Sequence, residues 1–456
     1  MEKKDILDEI EKNRAEYIKF FREIVQTDSY NPPGNEKNVA VVLQQFFEDA
    51  DISCELFPLR ENRANLVAFL NENTQKRNLL FNGHMDVVPA GAEGEWKNPP
   101  LSAHKKRNKY IYGRGAADMK GGLTAMAISL SILKKLDFNP SGNLILNCVC
   151  DEESGGNLGT GWSVENIFKK RQIECDFCVI GEPTGLSPLP KAIVLGEKGH
   201  LQLRLVTNGV SCHSSTPFLG ENAIYMMSDI IQNLDRLDVL IKEVSPPLTQ
   251  EEIKDLISVA FPKRDIFENI FNSQPLLQNV VKSLTKFTKS LNIIEGGIKE
   301  NVIPDNCEAI IDFRLLPGQD PKNVIDALKQ LIEDLGYPVK SEPTGKSDEV
   351  FVYIDIFHQS EGSYWENWED SEDLNNLYDI LEEVYGRTPF YFIYPACADA
   401  HYLRNSGFCP QTVLLGPGSA QTAHAIDEYI EIEDFINGIK VYALFAYDFL
   451  NNSSKS

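Results

Sequence analysis

Apolar positions along the chain fall into two rhythms. Residues 4–25 carry apolar side chains at helical spacing, and a second helical pattern over 35–50 follows the breaker Asn31-Pro32-Pro33-Gly34. Strand-like runs come next at 52–57, 65–70 and 78–82, and a hairpin-like stretch leads into 110–113. Helical spacing returns over 119–136. The runs 143–150 and 175–180 are continuously apolar, as strands buried on both faces are. The alternation predicts an α/β fold with a mostly parallel sheet layered by helices.

After Gly199 the rhythm changes. Residues 201–207 alternate apolar and polar, a half-exposed strand, and a helix is expected over 222–237. The stretch from about 244 to 290 is polar, Lys-rich and helix-prone, and reads as an insertion. Strands at 291–294 and 308–315 with a helix at 321–335 predict a separate small α+β layer. Beyond Tyr364 the β/α series resumes with a helix over 371–385, a strand at 412–415 and a last helix from about Ile432. The chain therefore parses as one domain in two parts, 1–198 and 365–456, interrupted by an inserted domain over 199–364. A length of 456 residues suits two cores better than one.

Charge and cysteine usage narrow the function. A formal net charge of −23 with no basic stripe repels a phosphate backbone, so nucleic acid is not an expected partner. No run of about 18 apolar residues occurs, so no membrane-spanning helix is expected. The acidic, amphipathic start of the chain argues against a signal peptide. Nine cysteines fall inside apolar runs. Cys148/Cys150 and Cys175/Cys178 lack a second CxxC, and they read as small buried hydrophobes in a reduced, cytoplasmic compartment.

Five segments carry candidate chemistry. In NLLFNGHMD the apolar strand ends at His84 and Asp86, two apart and so on one face, a metal ligand with its orienting carboxylate or a plain structural pair. YGRGAADMKGG sets Asp118 just before a helix, where an N-cap role is the simpler reading. CVCDEESGG runs a buried strand into Asp151, Glu152 and Glu153, costly unless a cation balances them or the turn is solvated. VIGEPTG places Glu182 immediately past a further apolar strand, and TVLLGPGSAQTAHAIDE places His424 in the loop after another. Four of the five groups follow strand C-termini, the ligand-binding edge of an open α/β sheet. Two histidines and three carboxylates form a mixed N/O set suited to zinc or cobalt.

The ordered series NGHMDVVP, GRGAADMKGG, DEESGG, GEPTG and GPGSAQTAHAIDEY resembles the dinuclear zinc amidohydrolases. That family includes acetylornithine deacetylase, succinyl-diaminopimelate desuccinylase, aminoacylase-1 and carboxypeptidase G. The resemblance spans nearly the whole chain. It implies two zinc ions per subunit, with cobalt able to substitute. Asp118 would bridge them, His84 and Glu182 would complete one, and Glu153 and His424 the other. It also implies Glu152 as general base, Asp86 as the carboxylate orienting His84, and a cis peptide after Asp118.

In the inserted domain, the resemblance implies a dimerisation (lid) role. Within NGVSCHSSTP, His213 would reach the partner's active site in a homodimer and stabilise an oxyanion, unless it is a turn histidine without a role. NVIPDNCEAIIDFR matches the family's segment for a substrate carboxylate, with Asn301 and Arg314 as the candidates; a structural salt bridge is the other reading of Arg314. The chain departs from the family at Ala396-Cys397-Ala398-Asp399-Ala400-His401, where a Gly-Thr-Asp stretch is common. His104, His200 and His358 match nothing in the family and read as structural or surface residues. The expected activity is hydrolysis of an N-acyl amino acid of the deacetylase or desuccinylase type. The alternatives are a metallo-exopeptidase acting on dipeptides and a non-catalytic amino-acid or metal-binding protein.

Overall fold

The computed structural model describes residues 1–71, 77–140, 142–343 and 349–451. Nine strands form the main sheet. Its centre is parallel: Asn78–His84 lies between Asn143–Val149 and Phe177–Ile180, and Thr412–Leu414 continues beyond Phe177–Ile180. All four central strands are buried along their length, as their continuous apolar runs require. The flanks are mixed. Ser53–Arg60 and Arg63–Phe69 add antiparallel on one side, while Ala192–Glu197 runs antiparallel to Thr412–Leu414 on the other and pairs in parallel with Phe390–Tyr394.

Helices cover both faces. Lys3–Gln26, Lys37–Asp49, Lys120–Lys135, Glu372–Tyr385 and Ile432–Asn451 bury their apolar stripes in one core against Leu79, Phe81 and Leu146. Lys120–Lys135 reaches the sheet closely because it opens on glycine. A Cβ on Gly122 would lie 2.0 Å from the Gly181 carbonyl oxygen, two bonds of chain before Glu182. The helix and the Glu182 strand can therefore meet only backbone to backbone.

The stretch read as an insertion folds into three helices, Gln250–Ser258, Arg264–Ser273 and Pro275–Leu284. They are neither loose decoration nor part of the smaller layer's core. Ile253, Ile257, Phe267, Phe271, Val281 and Leu284 are buried with Val194, Phe390 and Phe392 on the second face of the main sheet.

The smaller layer is a five-stranded sheet in the order Thr288–Gly296, Asn306–Leu315, Gly199–Asn208, Phe351–Ser360 and Val339–Lys340. Ala223–Gln232 and Pro321–Asp334 pack on one face over Leu201, Leu203, Ile311 and Phe313. The alternation of Gly199–Asn208 is perfect in burial, so His200, Gln202 and Arg204 share the opposite face. Phe351–Ser360 carries a bulge between Ile356 and His358. That extra residue is why Asp355 and His358 both lie beside the exposed face of Gly199–Asn208, and why no period-two pattern announced the strand.

Candidate metal centre

The groups found at strand ends converge at the carboxyl edge of the main sheet. His84, the last residue of its strand, donates from Nδ1 to the Asp86 carbonyl oxygen at 2.9 Å. A carbonyl only accepts, so the proton sits on Nδ1 and the Nε2 lone pair faces the cluster. There Nε2 lies 3.2 Å from Asp118 Oδ1, 3.6 Å from Glu182 Oε1 and 3.8 Å from Glu152 Oε2. On the far side, His424 Nε2 lies 3.3 Å from Asp118 Oδ2 and 3.1 Å from Glu153 Oε2. One carboxylate thus faces a histidine with each oxygen. The Asp118–Met119 peptide is cis.

Donor atoms of His84, Asp118 and Glu182 lie within 4.8 Å of one another, and so do those of Asp118, Glu153 and His424. The two triads share Asp118. Glu153 Oε1 and Glu182 Oε1 are buried with no hydrogen-bond partner. Burial, opposed by His84 but helped by the neighbouring carboxylates, pushes the Glu152 carboxyl far up, and burial drives Glu182 the same way. The hydrogen bonds that His424 donates to the Asp118 and Glu153 carboxylates push it up to about 10, so this position favours positive charge. Unpartnered carboxylate oxygens, imidazole lone pairs and crowded acids are what a pair of divalent cations satisfies. The donor set fits two metals.

Asp86 departs from the expected arrangement. Its carboxylate is 3.6 Å from His84 Nδ1, and it accepts instead from the Glu152 and Glu153 backbone N–H groups at 3.2 and 3.0 Å and from Asn31 Nδ2 at 2.8 Å. The carbonyl orients the histidine; the carboxylate fixes the turn that aims the two glutamates. Asp151 enters that turn at a φ of 71°, and Arg63 clamps its side chain. Gly156 has a φ of 69° there, and a Cβ would lie 2.2 Å from Asp399 Oδ1.

Glu428 went unremarked in the sequence although it lies within a family segment. It is fully buried and accepts from the backbone N–H groups of Gly115, Ala117 and Asp118 at 3.1, 2.8 and 3.1 Å and from Arg114 Nη1 at 2.7 Å. It holds the loop that presents Asp118. Its only sequence signal was an acid four residues after His424.

A cavity of about 530 Å³ opens over the cluster. Its floor is Asp118, Glu152, Glu153, Glu182 and His424, and its wall includes the departing segment at Ala396, Cys397, Ala398, Asp399 and His401. The smaller sheet supplies His200, Gln202, Arg314, Phe357 and His358 as a roof. His200 and His358, read from sequence as structural or surface residues, are therefore cavity residues. They were missed because only strand register reveals them: Arg314 and Ser360 both pair with His200, and His358 pairs with Gln202. Arg314 Nε donates to Asp312 Oδ1 at 2.9 Å, and His200 Nε2 donates to Asp312 Oδ2 at 2.7 Å.

His213 and Asn301 do not reach this cavity. They lie on two adjoining exposed loops, where the Ser214 N–H donates to the Asn301 carbonyl at 3.1 Å and His213 Nδ1 meets Ser215 Oγ at 2.7 Å. His104 lies exposed on a short strand elsewhere.

A protein-family model described as peptidase family M20/M25/M40 matches residues 80–448. The chain belongs to that family. M20 members are metal-dependent hydrolases, and amidohydrolase activity follows for this chain. A probable succinyl-diaminopimelate desuccinylase of Staphylococcus aureus strain MSSA476 is 27% identical over 436 residues, covering 94% of this chain and 96% of the relative. Acetylornithine deacetylase of Vibrio atlanticus is 30% identical over 430 residues, covering 92% and 95%. Among solved M20-like structures, the metallo-carboxypeptidase Sso-CP2 of Sulfolobus solfataricus superposes with a TM-score of 0.77 at 23% identity, covering 95% and 99%. Human carnosine dipeptidase 1 gives 0.74 at 18%, covering 98% and 100%. Among the described residues, no helix is long and apolar enough to cross a membrane.

Proposed function

We propose that the protein hydrolyses the amide bond of an N-acyl amino acid, as a deacetylase or desuccinylase does, using two zinc ions per subunit that cobalt can replace. The observation that carries this reading is the pair of ligand triads sharing Asp118, with Glu152 beside them. Donor atoms of His84, Glu152 and Glu153 also lie within 4.8 Å of one another, and it is the family resemblance that assigns Glu152 to proton transfer instead of to a metal. His84 and Glu182 would complete one ion, Glu153 and His424 the other. When bound, such a pair supplies an activated water and a polarised amide carbonyl. Glu152, whose backbone N–H is held by the Asp86 carboxylate, takes the proton and returns it to the leaving amine. Arg314 faces it from the roof and grips the free carboxylate of the amino acid, with His358 beside it.

A metallo-exopeptidase acting on dipeptides is the second reading. It is favoured by the Asp399 carboxylate in the cavity wall, a partner for an α-ammonium that an acetyl or succinyl group lacks. Amine release from N-acetyl, N-succinyl and N-formyl amino acids and from dipeptides, on chelated protein with and without zinc or cobalt, tests both. Metal-restored release with an acylated amino acid as best substrate supports the first; a dipeptide preference favours the second. Two bound metals without hydrolysis across the panel would leave a binding protein.

The working unit we propose is a homodimer formed by the inserted domain, residues 199–364, with 1–198 and 365–456 as the catalytic domain. Thr288–Gly296 is an edge strand of the smaller sheet, and Ile293, Ile294 and Ile298 are exposed along and just beyond it. Phe218, 98% exposed, stands next to the His213 loop. An apolar edge of this kind is a pairing surface. His213 and Asn301 beside it would complete the partner's cavity, His213 as oxyanion stabiliser. Mixing inactive Glu152→Gln and His213→Ala proteins tests the arrangement. Exchanged dimers should regain activity through one site carrying neither lesion, whereas a mixture that stays silent after demonstrated subunit exchange sinks the trans role.

A further inference from the structure

Away from the metal centre, three cysteines gather at the opposite end of two neighbouring strands. Cys175 lies two residues before Phe177–Ile180, Cys178 lies within it, and Cys409 lies three residues before Thr412–Leu414. These strands pair in parallel, Thr412 beside Cys178, so the segments entering them run side by side. Cys175 Sγ and Cys409 Sγ are 2.9 Å apart, closer than two sulfurs sit without bonding or sharing a proton. A disulfide needs about 2.05 Å. Cys178 is fully buried and faces the core, whereas Cys175 is partly exposed. All nine cysteines are free thiols.

We infer that Cys175 and Cys409 form a reversible disulfide that staples the strand leading to Glu182 to the segment between the cavity wall and Thr412–Leu414. The oxidant is a low-molecular-weight disulfide. Cys175, the more accessible thiol, loses its proton, attacks one sulfur of the oxidant and expels a thiolate. Cys409 then loses its proton and attacks Cys175 Sγ, expelling the second thiolate. Two protein thiols are oxidised by two electrons, and one small disulfide is reduced to two thiols. Burial pushes the Cys175 thiol up, so the attack is slow at neutral pH and quickens as pH rises. The bond closes a loop of more than two hundred residues, which in the chain-entropy account favours stabilisation. It lies at the far end of both strands from the ligands, so turnover is unaffected.

The test uses the full-length, metal-loaded protein equilibrated with oxidised glutathione at about pH 8.5. Denatured thiols are then titrated and peptides mapped without reduction. The expected result is a fall from nine titratable thiols to seven, a crosslinked peptide pair containing Cys175 and Cys409, and a Tm raised by ~5 °C that dithiothreitol reverses. Cys178→Ala should keep the crosslink and Cys409→Ala should lose it. Retention of all nine thiols, a bond made by Cys178, or a glutathione adduct that persists on Cys175 would overturn the inference. The mapping needs only the unmutated protein, so a poorly folding variant leaves the answer intact.

Discussion

The floor and the roof of the cavity are built by opposite means. On the floor most of the chemical groups sit at a strand or helix terminus and are fixed by backbone; His424 is the exception, reaching in from a loop. The Asp86 carboxylate takes the Glu152 and Glu153 N–H groups, its carbonyl takes the His84 ring, and Glu428 takes the N–H groups of the Asp118 loop. On the roof the groups stand within strands, on the half-exposed face of a sheet, and are fixed by one another: Arg314 and His200 share Asp312, and the rings of His200 and His358 lie 4.4 Å apart. Backbone fixing tolerates almost no variation in geometry, as placing a reacting water demands. Side-chain fixing leaves room to adapt to a substrate. The floor is suited to chemistry and the roof to recognition.

Substitutions should separate the two, and the floor should fall furthest. Glu152→Gln keeps the shape and both assigned ligand triads but removes the proposed proton acceptor, so kcat should drop by at least ~10²–10⁴ with two metals still bound. Metal analysis beside a kcat measurement decides it; a variant with normal turnover removes Glu152 from the reaction. Next comes Glu428→Ala. It strips three N–H groups and Arg114 of their acceptor, so metal affinity should fall ~10–100-fold, with a stability loss of ~3–5 kcal/mol from the stranded buried Arg114. Unchanged metal titration in a folded Glu428→Ala protein would mean that the Asp118 loop holds itself.

The same contrast explains what the sequence revealed. Much of the floor was legible because His84, Glu152, Glu153 and Glu182 follow apolar runs, and a carboxylate or imidazole at the end of a buried strand is conspicuous. Asp118 and His424 stood out only through the ordered series of segments. Glu428 escaped because it serves backbone groups, which leave no mark in sequence. The central parallel strands were legible from unbroken apolar runs, but Ala192–Glu197, Phe390–Tyr394 and Phe351–Ser360 were not. The first two are flanking strands outside the regular β/α series, and the bulge at His358 breaks the third's alternation. The roof was illegible for a related reason. His200 and His358 are 158 residues apart in number, and only register joins them beside Arg314. The helices over 250–284 showed their type but not their destination, since an amphipathic stripe does not say which sheet face will bury it.

Roof substitutions should act on KM and leave kcat nearly intact. Arg314→Met removes a charged donor from the cavity. A hydrogen bond to a charged group contributes about 1.5–3 kcal/mol, so KM for substrates with a free carboxylate should rise ~10–100-fold. Substrates amidated at that carboxylate should be indifferent to the change. An equal loss on amidated substrates would return Arg314 to a structural salt bridge with Asp312.

The smallest effect belongs to His358, and its pH dependence is the informative part. Burial, with His200 and Arg314 alongside, pushes this imidazole down to about 4. From pH 5 to 8 it is therefore neutral and offers the substrate a hydrogen bond rather than a charge. A neutral hydrogen bond contributes about 0.5–1.5 kcal/mol, so His358→Gln should raise KM by only ~2–10-fold, by the same factor at pH 5.5 and at pH 8. If His358 instead became charged on meeting a carboxylate, the ratio of variant to unmutated KM would grow as pH falls. Such a slope would give the roof a second charged contact beside Arg314, and recognition of the substrate carboxylate would then vary with pH while the floor's chemistry did not.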